Sequence, residues 1–134
     1  MSTILVVDDE VGIRELLSEI LSDEGHSVLT AENAAAARRL RAAESPDLVR
    51  LAIWMPDTDG VTLLKEWSAA GNLTMPVIMM SGHATIDTAV EATRIGAVGF
   101  LEKPIALQKL IATVDKALAR GAAAVPAAAQ TLAF

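Results

Sequence analysis

Cysteine is absent from the 134 residues, which excludes disulfides and thiolate metal sites. Aromatic residues are scarce: no tyrosine, two tryptophans and two phenylalanines. With 52% of the residues hydrophobic, the core has to be built from aliphatic side chains and alanine. Basic residues are outnumbered 11 to 17, for a net charge of −6. That argues against nucleic acid as a direct partner, because neutralising phosphates takes a basic face. No apolar run approaches the roughly 20 residues needed to span a bilayer. Met1-Ser2-Thr3 leads straight into a strand pattern, with no basic segment ahead of a long apolar one. The expectation is a soluble, cytoplasmic protein without a membrane partner, long enough for one domain with a full core.

What is present alternates between two patterns. Ile4-Leu5-Val6-Val7 is a short continuous apolar run, the mark of a strand buried on both faces. After Asp8-Asp9-Glu10, residues Ile13, Leu16, Leu17, Ile20 and Leu21 form a helical stripe that ends near Gly25. Ser27 to Thr30 reads as a second strand, and Asn33 can cap an alanine-rich helix reaching about Ala43. Leu48-Val49-Arg50-Leu51-Ala52 is a third strand, running into a turn at Pro56. Asp59 can cap a helix bearing Val61, Leu64 and Trp67, closed by Gly71-Asn72. Val77 to Met80 is a fourth strand. The helix from about Thr85 to Arg94 has Ile86, Ala89 and Val90 as its apolar side. Val98 to Leu101 is a fifth strand, and the last helix carries Leu107, Leu110, Ile111, Val114 and Leu118 on one face.

Five strands alternating with five helices call for an α/β fold of one doubly wound domain. The sheet is parallel, with right-handed crossovers and helices on both faces. The domain is expected over residues 1–120. Residues 121–134 lack an amphipathic period and contain a proline, so they read as an Ala/Pro linker or as a frayed extension of the last helix.

In such a sheet the site lies beyond the carboxyl ends of the strands. Asp8 and Asp9 follow strand one, Ala52 ends strand three, Ser81 follows strand four and Lys103 follows strand five. Paired carboxylates suit a hard cation such as magnesium. A lysine and a hydroxyl suit phosphate oxygens. Taken singly, each has a plainer explanation, as a helix cap or a solvated turn. Their common register at strand ends points to phosphoryl binding with a cation. A nucleotide or flavin site is disfavoured. No Gly-rich loop follows the first strand, and the acids there would repel phosphate without a metal.

The segments Ile4–Glu10, Trp54–Gly60, Val77–Ala84 and Gly99–Pro104 resemble the receiver domain of two-component response regulators, over about Thr3 to Arg120. The wording is most similar to receivers of the NtrC/NtrX group, and the resemblance implies a flavodoxin-like sheet of strand order 2-1-3-4-5. The resemblance implies that Asp8 and Asp9 hold magnesium, with the backbone carbonyl of Trp54 as a further ligand. It implies that Ser81 is the switch hydroxyl, Phe100 the aromatic switch residue and Lys103 the phosphate partner. Lys103-Pro104 is expected to carry the family's cis peptide bond. Implied partners are a sensor histidine kinase, downstream sigma-54-type ATPase and DNA-binding domains outside this sequence, and a second copy through residues 85–120.

The sequence departs from that pattern twice. Ala52 stands where the family's phosphoacceptor aspartate belongs, and a methyl group cannot form an acyl phosphate. Asp57 and Asp59 lie past the Pro56 turn and are poor substitutes. Magnesium affinity should be weak or absent, and Lys103 should pair with Asp8 or Asp9. Arg50 is the second departure, a charge in a central strand on the same side as Leu48 and Ala52. One reading has it reach about 6–7 Å, two residue rises, toward Asp8 and Asp9 as a counter-charge. The other has its stem pack under a helix while its head meets solvent or a local carbonyl. Trp54 and Trp67 read as packing residues, and His83 as a solvated loop residue.

The function expected is a phosphorylation-incompetent receiver held mainly in its unphosphorylated state and lacking enzyme activity. The alternative is a naturally degenerate pseudo-receiver serving as a phosphorylation-independent interaction module. The otherwise intact site favours replacement or recent loss of the aspartate. By this reading, Ala52→Asp alone restores phosphorylation.

Overall fold

The computed structural model of this chain describes residues 2–71, 73–82, 86–102 and 106–130, and of residues 86, 107 and 120–130 the backbone alone. In chain order the elements are β1 (Thr3–Val7), α1 (Val11–Asp23), β2 (Ser27–Ala31), α2 (Ala34–Glu44) and β3 (Leu48–Ala52). They continue with α3 (Gly60–Ala69), β4 (Val77–Ser81), α4 (Ile86–Ile95), β5 (Gly99–Glu102) and α5 (Leu107–Gln130). The strands are all parallel, in the order β2-β1-β3-β4-β5. This is the doubly wound sheet that the alternating patterns demand.

Strand side chains point alternately to the two faces, so one sheet supports two separate cores. Leu5, Val7, Val49, Leu51, Val77 and Met79 pack with α2, α3 and α4 through Ala37, Leu63, Leu64, Trp67 and Ala92. Ile4, Val6, Leu48, Ile78 and Met80 pack with α1 and α5 through Leu17, Leu21, Leu110 and Val114. β3 is central and buried along its whole length. The two helices expected to be capped are capped. Asn33 Oδ1 accepts from Ala36 N at 2.8 Å, and Asp59 Oδ1 accepts from Thr62 N at 2.9 Å.

Three expectations need correction. Leu16 belongs to the apolar stripe of α1 by spacing but is exposed, because Leu17 and Leu21 already fill the sheet side. Val90 is exposed on α4, whose buried residue among those described is Ala92. Trp54 is not a packing residue: it is 61% exposed in the loop after β3, while Trp67 is buried under α3. α5 runs on through Gly121 to Gln130, within the stretch read as an Ala/Pro linker or a frayed extension of the last helix. The alanine run there has the highest intrinsic helix propensity, which works against the helix-breaking tendency of Gly121 and Pro126.

Candidate functional site

The carboxyl edge of the sheet gathers its polar groups from three adjacent strands. β1 ends at Val7 and is followed by Asp8, which is buried, and by Asp9 and Glu10, which are exposed. The backbone fixes Asp8 firmly. Its N–H donates to the Ala31 carbonyl at 3.0 Å, and its own carbonyl accepts from Arg14 Nη1 at 2.7 Å. One side-chain oxygen, Oδ1, accepts from the Glu10 N–H at 2.9 Å. Carboxylate oxygens of Asp8, Asp9 and Glu10 all lie within 4.8 Å of one another. They precede the first turn of α1, whose unpaired N–H groups favour negative charge.

Arg50 decides the electrostatics of this edge. Its side chain and that of Asp8 are both 0% exposed, and Arg50 Nη1 lies 3.1 Å from Asp8 Oδ2. Nη1 also lies 3.3 Å from the Val7 carbonyl, and Nη2 contacts the Met80 sulfur. Nε is buried with no hydrogen-bond partner among the described residues. Burial pulls the guanidinium down to about 10, with the Asp8 charge and hydrogen bond working in the opposite direction, so it remains a cation at neutral pH. Of the two readings of Arg50, the counter-charge one matches the geometry for Asp8, and no Arg50 bond reaches Asp9 among those described. The solvated head does not occur. The local carbonyl does, as a secondary acceptor.

β3 ends at Ala52, which is buried and pairs in register with Met80 of β4. Ser81 follows Met80, is buried, and pairs in register with Glu102 of β5. Trp54 lies just beyond Ile53 at this edge. Phe100 is half-buried opposite Met79 and packs against the α2–α3–α4 core. Lys103, the Lys103-Pro104 bond and His83 lie outside the described residues. The arrangement therefore joins Asp8, Arg50 and Met80 directly, with Ala52 between them and Ser81 next in line. No carboxylate or other nucleophile is delivered by β3 itself.

The nearby acids past the Pro56 turn have other partners. Asp57 Oδ1 accepts from Ala34 N at 3.0 Å and Thr58 N at 2.9 Å, and Oδ2 accepts from Ala35 N at 3.0 Å. It therefore serves the first turn of α2 beside the Asn33 cap. The Ala34 N–H foremost, with those of Ala35 and Thr58, holds the Asp57 carboxyl below the usual carboxylate range. Asp59 holds both Thr62 N–H and Thr62 Oγ1. Sequence reasoning found the Asp59 cap by its spacing but missed Asp57, because the helix it serves lies 23 residues earlier. It also missed Gly60, whose N–H donates to the Ile53 carbonyl at 2.7 Å. A Cβ there would collide with the Ala52 carbonyl. The signal was present: Asp-Gly at the start of the helix that follows the site strand.

Known proteins match this geometry. Residues 4–115 match the family described as response regulator receiver domain. The chain is 42% identical over 117 residues to the nitrogen assimilation regulatory protein NtrX of Azorhizobium caulinodans, covering 86% of this chain and 26% of that protein. It is 40% identical over 118 residues to the regulatory protein AtoC of Escherichia coli, covering 88% and 25%. The chain thus spans about a quarter of the length of these curated relatives. Among solved structures, the receiver domain of NtrX from Brucella abortus superposes with a TM-score of 0.80 at 47% identity, over 86% of this chain and 97% of that one. A CheY-like receiver domain protein from Methanospirillum hungatei superposes with a TM-score of 0.85 at 27% identity, over 90% and 96%.

Proposed function

This chain belongs to the response regulator receiver domain family, and from that premise we propose that it is a signal-input domain unable to take up phosphate. One observation carries the reading. The central strand β3 ends in a buried methyl group, Ala52, between Asp8 and Met80, where a receiver needs a carboxylate. Receiver domains are signalling modules that bias a two-state equilibrium, and without an acceptor the domain stays in its unphosphorylated state. By sequence position, Ser81 and Phe100 correspond to the switch hydroxyl and the switch aromatic, and Lys103 to the phosphate partner.

Receiver domains usually bind Mg2+ through an acidic cluster, and Asp8, Asp9 and Glu10 form that cluster here. In its present state the cluster does not fit a divalent ion. Asp8 Oδ2 is already ion-paired to Arg50, Oδ1 accepts a backbone N–H, and a fixed guanidinium next to the site opposes a second cation. Mg2+ affinity is therefore weak or absent, and the Trp54 carbonyl has no ion to complete.

By similarity to NtrX and AtoC, the full-length protein is a transcriptional regulator. Its partners would be a sensor histidine kinase and downstream ATPase and DNA-binding domains, in the cytoplasm. Among the described residues, no helix is long and apolar enough to cross a membrane. Exposed Val90 and Val98 lie within residues 85–120, the face we assign to self-association.

A second reading, a naturally degenerate pseudo-receiver acting by protein contacts alone, draws support from Arg50. A buried arginine paired to Asp8 is a second departure at the same edge, and it suits a site that has no acceptor. Both readings share one test. The protein is incubated with acetyl phosphate and Mg2+, and its intact mass is compared before and after alkali treatment. No alkali-labile phosphoryl adduct is expected, and a substantial one overturns the proposal.

A further inference from the structure

Arg50 is in register with Val6 on β1 and Ile78 on β4. Its guanidinium does not stay in that row. It binds Asp8 and Met80, each two residues farther toward the carboxyl edge. Two residue rises are about 6–7 Å, within reach of a side chain laid along the sheet face. Ala52 is the next residue on that same face, and it pairs with Met80. The guanidinium head thus sits in the row Asp8–Ala52–Met80, in space that the small Ala52 side chain leaves open. Among the described residues Nε has no partner there, which leaves one donor of the head open to an acceptor.

We propose that Arg50 is a tethered cation that takes the place of a divalent ion at this edge and captures any carboxylate placed at position 52. Loss of phosphate acceptance then rests on two residues rather than one. The inference builds on reading position 52 as the vacant acceptor and goes beyond it. A planar guanidinium binds carboxylates through two parallel N–H donors, so a restored aspartate meets a partner already in place. Because the cation is part of the chain, it neutralises Asp8 without a free ion and cannot be removed by chelation. Arg50 is on this account a positioning residue: it holds Asp8, denies the site to metal and ties up any carboxylate at position 52 that would accept phosphate.

The test compares wild type, Arg50→Met, Arg50→Lys, Ala52→Asp and the double variant Arg50→Met/Ala52→Asp. MgCl2 alone is titrated by calorimetry and thermal unfolding, and acetyl phosphate with MgCl2 is then scored by intact mass. Wild type and Arg50→Lys should unfold at temperatures indifferent to Mg2+. Arg50→Met should unfold at a lower temperature and recover part of the loss when Mg2+ is added. If it does not fold alone, folding on addition of excess MgCl2 is the same supporting result, and failure to fold with excess MgCl2 overturns the proposal. Ala52→Asp should bind Mg2+ on the order of tenfold or more weaker than the double variant, a difference of about 1.4 kcal/mol. It should also give little adduct, while the double variant gives a clear one. If Ala52→Asp alone binds Mg2+ and forms adduct as well as the double variant does, the proposal is overturned. Should neither form adduct, the reading of position 52 as the acceptor fails. The Mg2+ response of Arg50→Met against wild type still decides whether Arg50 replaces the ion.

Discussion

The two faces of β3 are built on opposite terms. On one, Val49 and Leu51 join Leu5, Val7, Leu63, Leu64 and Trp67 in an unbroken, mainly aliphatic core. On the other, Leu48 is followed by Arg50 and then by Ala52, a charge and a gap. Both faces are equally buried, so the difference is not one of exposure. The aliphatic face is held by contact area, and any one residue contributes in proportion to the atoms it buries. The charged face is held by a match: Asp8 and Arg50 are each costly alone and tolerable together. Damage on the first face is graded, whereas on the second it depends on whether a partner remains.

The largest effect should come from splitting the pair. Asp8→Ala leaves Arg50 buried with no carboxylate, and loss of about 3–5 kcal/mol is expected in urea unfolding without added metal. Replacing both, as Asp8→Leu with Arg50→Met, should recover most of that loss, because two apolar groups need no partner. If the double variant is as unstable as the sum of the single ones, the face is not organised around the pair. The aliphatic face supplies the contrast. Leu51→Ala should cost about 2–5 kcal/mol through lost burial and a residual cavity, and no single charged partner change should restore it.

The same contrast explains how much could be read in advance. The aliphatic face was legible because its information is local: runs of β-branched residues and helical stripes of the right period fix the strands, the helices and their order. The capping residues Asn33 and Asp59 were equally legible, because each acts within three residues of itself. The site edge was legible as a set of strand ends. Arg50 left two readings open, because its bond to Asp8 spans 42 positions and depends on how far the side chain leans. Trp54 was misjudged because an aromatic next to a buried strand reads as core, while the loop after Ile53 turns it outward. Asp57 escaped notice because its three backbone donors include two from a helix far earlier in the chain.

Each face also has one well-placed acid, Asp8 on the charged side and Asp57 on the aliphatic side. Asp57 serves α2, on the aliphatic side, through N–H donors from Ala34, Ala35 and Thr58. Those donors favour the ionised carboxylate, so its folded value lies below the unfolded one. The stabilisation is then fully present above the usual carboxylate range, and it is lost as pH falls through the depressed folded value. Asp57→Asn keeps the shape but removes the charge. Its unfolding midpoint in urea should fall short of wild type at neutral pH, by a small margin because the carboxylate is solvent-exposed. The two midpoints should converge as the solution is acidified below the carboxylate range. If the gap instead stays constant down to low pH, Asp57 acts through neutral hydrogen bonding alone, and the acid sensitivity of the fold belongs to other carboxylates.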